Sequence, residues 1–191
     1  MTPAEEAAGA AASRTPAASA SRAPAASDAH PAVTPPAPAA PDTGAPAPFT
    51  LHGRKVVGGV VEGEALVSRE TISGWGGIDP ATGTVTERRH ELFGVCFTGK
   101  ILVFPGAKGS SGWSGFFQAT RLLGTAPLGM IFTVTTTKSA LGAVVTRVPA
   151  LTDLDRDPVA AIRTGDWLRL DADHGIVTVT PRAAREAERA G

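Results

Sequence analysis

From Phe49 to Val179 the chain alternates short apolar runs with glycines and polar turns, the pattern of a β-rich domain rather than of a helical bundle. Phe49 to Val61 predicts a strand with a bend at Gly58-Gly59, and Gly63 to Ser68 a second one. Ile72 to Pro80 holds too many glycines for a regular element, and Asp79-Pro80-Ala81-Thr82-Gly83 has turn chemistry. Thr84 to Thr86 extends briefly. Lys100 to Phe104 and Gly129 to Thr135 are rich in β-branched and apolar residues and predict buried strands. A helix from Ser111 to Leu123 lies between them, so the two strands should be parallel neighbours in a β-α-β unit. Ser139 to Arg147 predicts a short helix, Leu151 to Asp153 a strand end, and Asp157 to Arg163 one or two helical turns. Gly165 to Asp171 and Gly175 to Val179, joined by Ala172-Asp173-His174-Gly175, form a β-hairpin. The fold class expected is a mixed α/β domain, with no internal repeat.

Composition narrows the extent of that domain. Ten of the 16 prolines fall within positions 1–48, among alanine, serine and threonine. Such a segment buries too little apolar surface to offset its ordering entropy, so 1–48 is expected to be disordered. Residues 49–181 form the compact domain, and the polar stretch 182–191 a tail or short terminal helix. Lysine plus arginine equal aspartate plus glutamate at 18 each, so no net field draws nucleic acid or a membrane surface. No apolar run reaches membrane-helix length. Met1 to Glu6 lacks the basic start and apolar middle of a secretory signal. The single cysteine, Cys96, excludes an intrachain disulfide and suits a reducing, cytoplasmic compartment. Set between Val95 and Phe97, it reads as a small core residue.

The chemistry concentrates between Phe104 and Gly115. An apolar strand stops at Pro105, a glycine-rich turn with Lys108, Ser110 and Ser111 follows, and a helix begins. Backbone N–H groups at a helix start attract anions and favour a hydroxyl losing its proton. Lys108, Gly109 and Ser111 are candidate anion-binding residues. Ser110 or Ser111 is equally suited to cap the helix. The loop Trp75-Gly76-Gly77-Ile78-Asp79 and the indole of Trp113 are candidate contacts for a partner, with Asp79 a turn-former. Arg88, Arg89 and His90 read as a solvated basic run, and His52 and His174 as surface residues. No histidine spacing suggests a metal site.

Three blocks carry a family resemblance: Trp75-Gly76-Gly77-Ile78-Asp79-Pro80-x-Thr82-Gly83, Lys100-Ile101-Leu102-Val103-Phe104-Pro105-Gly106, and Lys108-Gly109-Ser110-Ser111-x-x-Ser114. Gly124 to Pro127, Leu141 to Ala143 and Thr164 to Asp166 follow in the same order. With them the chain resembles the small subunit, or swivelling domain, of the aconitase X family. The departures are Glu91 after His90, where proline is expected, Ala107 after Gly106, and the bulky Gly112-Trp113 pair.

The resemblance implies a swivelling β/β/α domain belonging to a heteromeric dehydratase. It implies an iron–sulfur cluster held by a large subunit, a small-molecule hydroxy acid as substrate, and no activity from this chain alone. It assigns the catalytic serine to Ser110, which leaves Ser111 as the helix cap. Of the family's substrates, cis-3-hydroxy-L-proline is favoured over phosphomevalonate, because the Ala/Pro-rich tail suits a bacterium with a GC-rich genome. The competing expectations are a stand-alone module that captures an anion at Gly109 to Ser111, and a scaffold that docks through Trp75 and Trp113.

Overall fold

A computed structural model describes residues 46–190. The tail expected to be disordered, 1–48, lies outside the described residues except for Pro46-Ala47-Pro48, which form no regular element. In chain order the elements are β1 (Phe49–His52), β2 (Arg54–Val57), β3 (Val60–Val67), β4 (Ile72–Ser73), β5 (Ile78–Asp79), β6 (Thr84–Val85), β7 (Ile101–Phe104), β8 (Ala107–Lys108), α1 (Trp113–Leu122), β9 (Gly129–Phe132), α2 (Thr137–Thr146), β10 (Ala150–Thr152), α3 (Pro158–Ala161), β11 (Trp167–Asp171), β12 (Ile176–Thr180) and α4 (Arg182–Ala190).

Eight strands make one mixed sheet in the order β1-β12-β11-β3-β7-β9-β10-β2. The β-α-β unit is present as expected: β7 and β9 pair in parallel, Ile101 opposite Gly129 and Phe104 opposite Phe132, with α1 between them in sequence. Strand β3 pairs in parallel with β7, and β9 with β10. The predicted hairpin is β11–β12. The single strand expected over Phe49 to Val61 is instead three elements. Strands β1 and β2 are separated only by Gly53, yet they occupy opposite edges of the sheet. The sheet therefore curls round on itself. At the junction the Gly53 N–H donates to the Gly175 carbonyl at 2.8 Å. The bend expected at Gly58-Gly59 falls before β3, which runs unbroken to Val67 and absorbs the separate strand expected from Gly63.

Alternation along the central strands divides the core in two. Ile101, Val103 and Ile131 point to one side, where Leu51, Leu168, Leu170, Val177 and Val179 close the inside of the curled sheet beneath Ile162, next to α3. Leu102, Phe104, Met130 and Phe132 point to the other, against Trp113 and Phe117 of α1 and Ala143 of α2. Every one of these side chains is buried. The parallel strands β3, β7 and β9 thus end together, and the loops that follow them share one rim.

Candidate active site

The serine loop leaves the sheet at Phe104 and is fixed by a contact far away in sequence. Strand β8 pairs in parallel with β4, with Ile72 opposite Ala107 and Ser73 opposite Lys108. The Ile72 N–H donates to the Gly106 carbonyl at 3.2 Å. Just beyond the loop, the Trp113 indole N–H donates to the Ile72 carbonyl at 2.8 Å. The indole stacks on Phe117 at 4.1 Å and faces Phe104 at 6.3 Å between ring centres. Helix α2 reaches it only because residue 142 is glycine; a β-carbon there would stand 2.0 Å from an indole carbon. Trp113, expected at an interface, is 1% exposed. Its β-region neighbours on both sides are apolar and its one polar atom is satisfied, so burial is the stable outcome.

Ser110 is exposed at the tip of this loop. Its Oγ lies 3.5 Å from where a β-carbon on Gly112 would stand, so the hydroxyl sits over the start of α1. Among the described residues that hydroxyl has no hydrogen-bond partner, although its neighbours do. Gly109 takes a φ of +91°, which a side-chain-bearing residue rarely adopts, and this turns the chain so that Ser110 faces outward. The helix cap falls on Gly112, with no side chain closing the first turn. Ser111, expected to cap it, instead accepts from the Ser114 hydroxyl through its carbonyl at 3.3 Å. The Trp113 N–H donates instead to the Ser110 carbonyl at 3.2 Å, and the positive end of the helix dipole lies at this turn.

Two lysines frame the loop. The Lys108 ammonium donates to Glu87 Oε1 at 2.6 Å, and that of Lys138, in the first turn of α2, donates to the Gly109 carbonyl. The Lys108 charge is offset by Glu87, while Lys138 and the positive end of the α1 dipole both favour an anion at this turn over a neutral group. The sequence reading missed Lys138, Glu87 as its counterpart's anchor, and Ser73, whose Oγ lies 3.4 Å from where a β-carbon on Gly109 would stand. A signal for Lys138 existed: Thr136 and Ser139 form a reciprocal cap at the start of α2. Nothing local signals Glu87 or Ser73, because both meet the loop through long-range pairing.

The glycine loop lies alongside. Trp75 is 78% exposed, its ring edge-on to Phe116 of α1 at 5.6 Å. Gly76 is also exposed and Gly77 buried. Asp79 is a turn-former: its carboxylate accepts from the Ala81 N–H at 3.0 Å and the Thr82 hydroxyl at 2.8 Å. Arg88 and Arg89 are exposed, but His90, expected in the same solvated run, is 4% exposed. Its ring turns inward because Nδ1 accepts from the Leu92 N–H at 3.1 Å. Cys96, expected in the core, is exposed beside the Thr82 carbonyl. One cysteine does not fit an iron–sulfur cluster, and the described residues contain no group of three ligating side chains.

At the foot of the serine loop lies a groove of about 880 Å³, lined in part by Arg69, Glu91, Pro105, Thr133, Asp157 and Arg163. Glu91 Oε1 accepts from the Ser68 hydroxyl at 2.8 Å and from the Arg69 N–H. Burial pushes the Glu91 carboxyl up, but these bonds and His90 together hold it below the usual carboxylate range. No helix among the described residues is long and apolar enough to cross a membrane.

The aconitase X swivel domain profile matches residues 50–179. The phosphomevalonate dehydratase small subunit of Methanocella arvoryzae is 38% identical over 130 residues, 68% of this chain and 98% of that one. The protein of the same name from Thermococcus gammatolerans is 41% identical over 129 residues, 68% of this chain and 96% of its own. The crystal structure of Thermococcus kodakaraensis aconitase X in its holo form superposes with a TM-score of 0.65 at 40% identity, covering 69% of this chain and 98% of that one. The preference for cis-3-hydroxy-L-proline finds no support among these relatives, whose printed name is that of the alternative. The chain belongs to the aconitase X swivel domain family.

Proposed function

We propose that the chain is the small subunit of a phosphomevalonate dehydratase and that Ser110 is the base of the reaction. The observation that carries this reading is the exposed, uncommitted Ser110 hydroxyl over an uncapped helix start, beside two lysines that are already engaged. The substrate comes from relatives that align along nearly their whole length under that name.

In the reaction, the carbon next to the carboxylate loses a proton and the neighbouring carbon loses its hydroxyl, so that one water leaves and a double bond forms. A free serine is far too weak an acid to begin as an alkoxide; the helix start and the lysine charges lower that cost, and a cavity closed to water strengthens both. Ser110 Oγ takes the proton. The sequence has one cysteine and the described residues no group of three ligating side chains, so the iron–sulfur group that the family resemblance implies would be held by the large subunit, which would also supply the chemistry at the departing hydroxyl. Trp75, standing proud beside the loop, contributes to the contact with that subunit.

The test is turnover of phosphomevalonate by the protein purified together with its large subunit. Ser110→Ala should lower kcat by about 10³-fold or more, in the range that loss of a principal catalytic group produces, with assembly unchanged. Ser111→Ala should stay within about tenfold, as for a lost positioning contact. Equal losses, or a Ser110→Ala enzyme at wild-type rate, would remove Ser110 from the mechanism. A chain that stays monomeric and binds anions unaided would favour the stand-alone module instead.

A further inference from the structure

We infer that the groove at the foot of the serine loop binds a phosphate monoester group, and so holds the phosphate end of the substrate, an inference that rests on the substrate reading above. The groove is built by the residues that come just after three parallel strands: Arg69 after β3, Pro105 after β7 and Thr133 after β9. The rim beyond the carboxyl ends of parallel strands is where open α/β sheets take ligands. Two arginines, Arg69 and Arg163, line it. Among the described residues neither guanidinium is in an ion pair, whereas Arg54, Arg169 and Arg182 each have an acidic partner.

The groove also holds two carboxylates, each engaged by neutral donors. Glu91 Oε1 binds the Ser68 hydroxyl and the Arg69 N–H. Asp157 Oδ1 caps α3 through the Val159 N–H at 3.1 Å and accepts from the Thr133 hydroxyl at 3.4 Å. These bonds fix the backbone from which the arginines project. On the other wall the Arg163 N–H donates to the buried Asp166 at 2.8 Å, and the Thr164 hydroxyl accepts from the Val67 N–H at 2.9 Å. The guanidiniums are therefore carried on fixed segments and retain their donors for a ligand, and a guanidinium fork matches phosphate oxygens.

The lysines near Ser110 do not compete for this role. Lys108 is held by Glu87 and Lys138 by the Gly109 carbonyl. A phosphorylated hydroxy acid carries its phosphate and its carboxylate at opposite ends. The chain leaves the groove at Pro105, and the loop it enters carries Ser110 five positions on (110 − 105); on this inference one elongated substrate lies along both.

The experiment is titration of the full chain with inorganic phosphate, followed by amide NMR against sodium chloride at matched ionic strength. Saturable shifts are expected at Arg69, Thr133 and Thr164, with the affinity of the Arg69→Gln/Arg163→Gln double variant at least about tenfold weaker, as loss of charge-assisted bonds predicts. In the complex with the large subunit, Arg163→Gln should raise KM for phosphomevalonate by about tenfold while kcat stays within about twofold, the signature of lost ground-state binding. Shifts confined to Gly109 to Gly115, no saturation, or a double variant of wild-type affinity would overturn the inference. If the groove saturates but the complex dehydrates only an unphosphorylated acid, the groove stands and the substrate reading falls. If phosphomevalonate turns over while the groove stays silent, the groove alone falls.

Discussion

Trp75 stands in the glycine loop and Trp113 opens α1 just past the serine loop, two segments clamped together by the β4–β8 pairing, yet one indole is 78% exposed and the other 1%. Trp113 lies between the outer face of β7 and α2, and its N–H has a backbone carbonyl to bind. Trp75 has only the edge of Phe116. Two residues of one type thus divide the labour. The buried ring welds the serine loop to the glycine loop, and the exposed one offers apolar area for a second chain. If Trp75 meets the large subunit as proposed, partner contact and loop rigidity are separate properties in this region, and each can be removed without the other.

The largest effect should come from the buried member. Trp113→Ala removes the ring on which both loops and α2 pack, and should cost about 3–5 kcal/mol of stability, read from urea denaturation of the full chain. Gly142→Ala should act through the same contact by about 1–3 kcal/mol, since the new methyl overlaps the indole. A Trp113→Ala protein of wild-type stability would end the division between the two rings.

Trp75→Ala should do the reverse. The stability of the chain should stay within about 0.5 kcal/mol, as for a surface change. Affinity for the large subunit should fall by about 2 kcal/mol, or roughly 30-fold, if Trp75 is an anchor of that contact. Calorimetric titration of the two subunits measures it. Unchanged affinity would move the contact away from the glycine loop.

The smallest effect concerns the loop foot. The Glu91 carboxyl is held below its ordinary range in the folded chain, so its stabilising contribution is complete above that range and disappears as pH falls through the lowered value. Thermal midpoints of wild type and Glu91→Gln should therefore differ at pH 7 and converge toward pH 3. A gap that stays constant with pH would show that Glu91 acts through packing.

How much of this was legible in the sequence follows from the range of each interaction. The β7-α1-β9 unit and the β11–β12 hairpin were readable, because neighbours in sequence form them. Ser110 was singled out by its glycine-rich strand-to-helix turn and the family blocks, and the structure places it exposed at the loop tip. The curled sheet was not: the stretch from Phe49 to Val61 reads as one extended segment and gave no sign that Gly53 passes the chain from one edge to the other. Trp113 looked like a contact residue because its local neighbours are glycine and serine, while the partners that bury it, Phe104, Phe117 and Gly142, come from three other positions along the chain. The Glu87 to Lys108 and Lys138 to Gly109 bonds arise in the same way, from strands and helices meeting across 21 and 29 residues.

The central claim is that Ser110 moves the proton, and exchange with deuterium tests it apart from turnover. The complex with its large subunit, given the unsaturated product in D₂O, should run the reaction backward and place deuterium on the carbon next to the carboxylate. The Ser110→Ala complex, intact and able to bind the product, should incorporate it at about one-thousandth of that rate or less, the scale of a lost general base. Incorporation by Ser110→Ala at the wild-type rate would contradict the account.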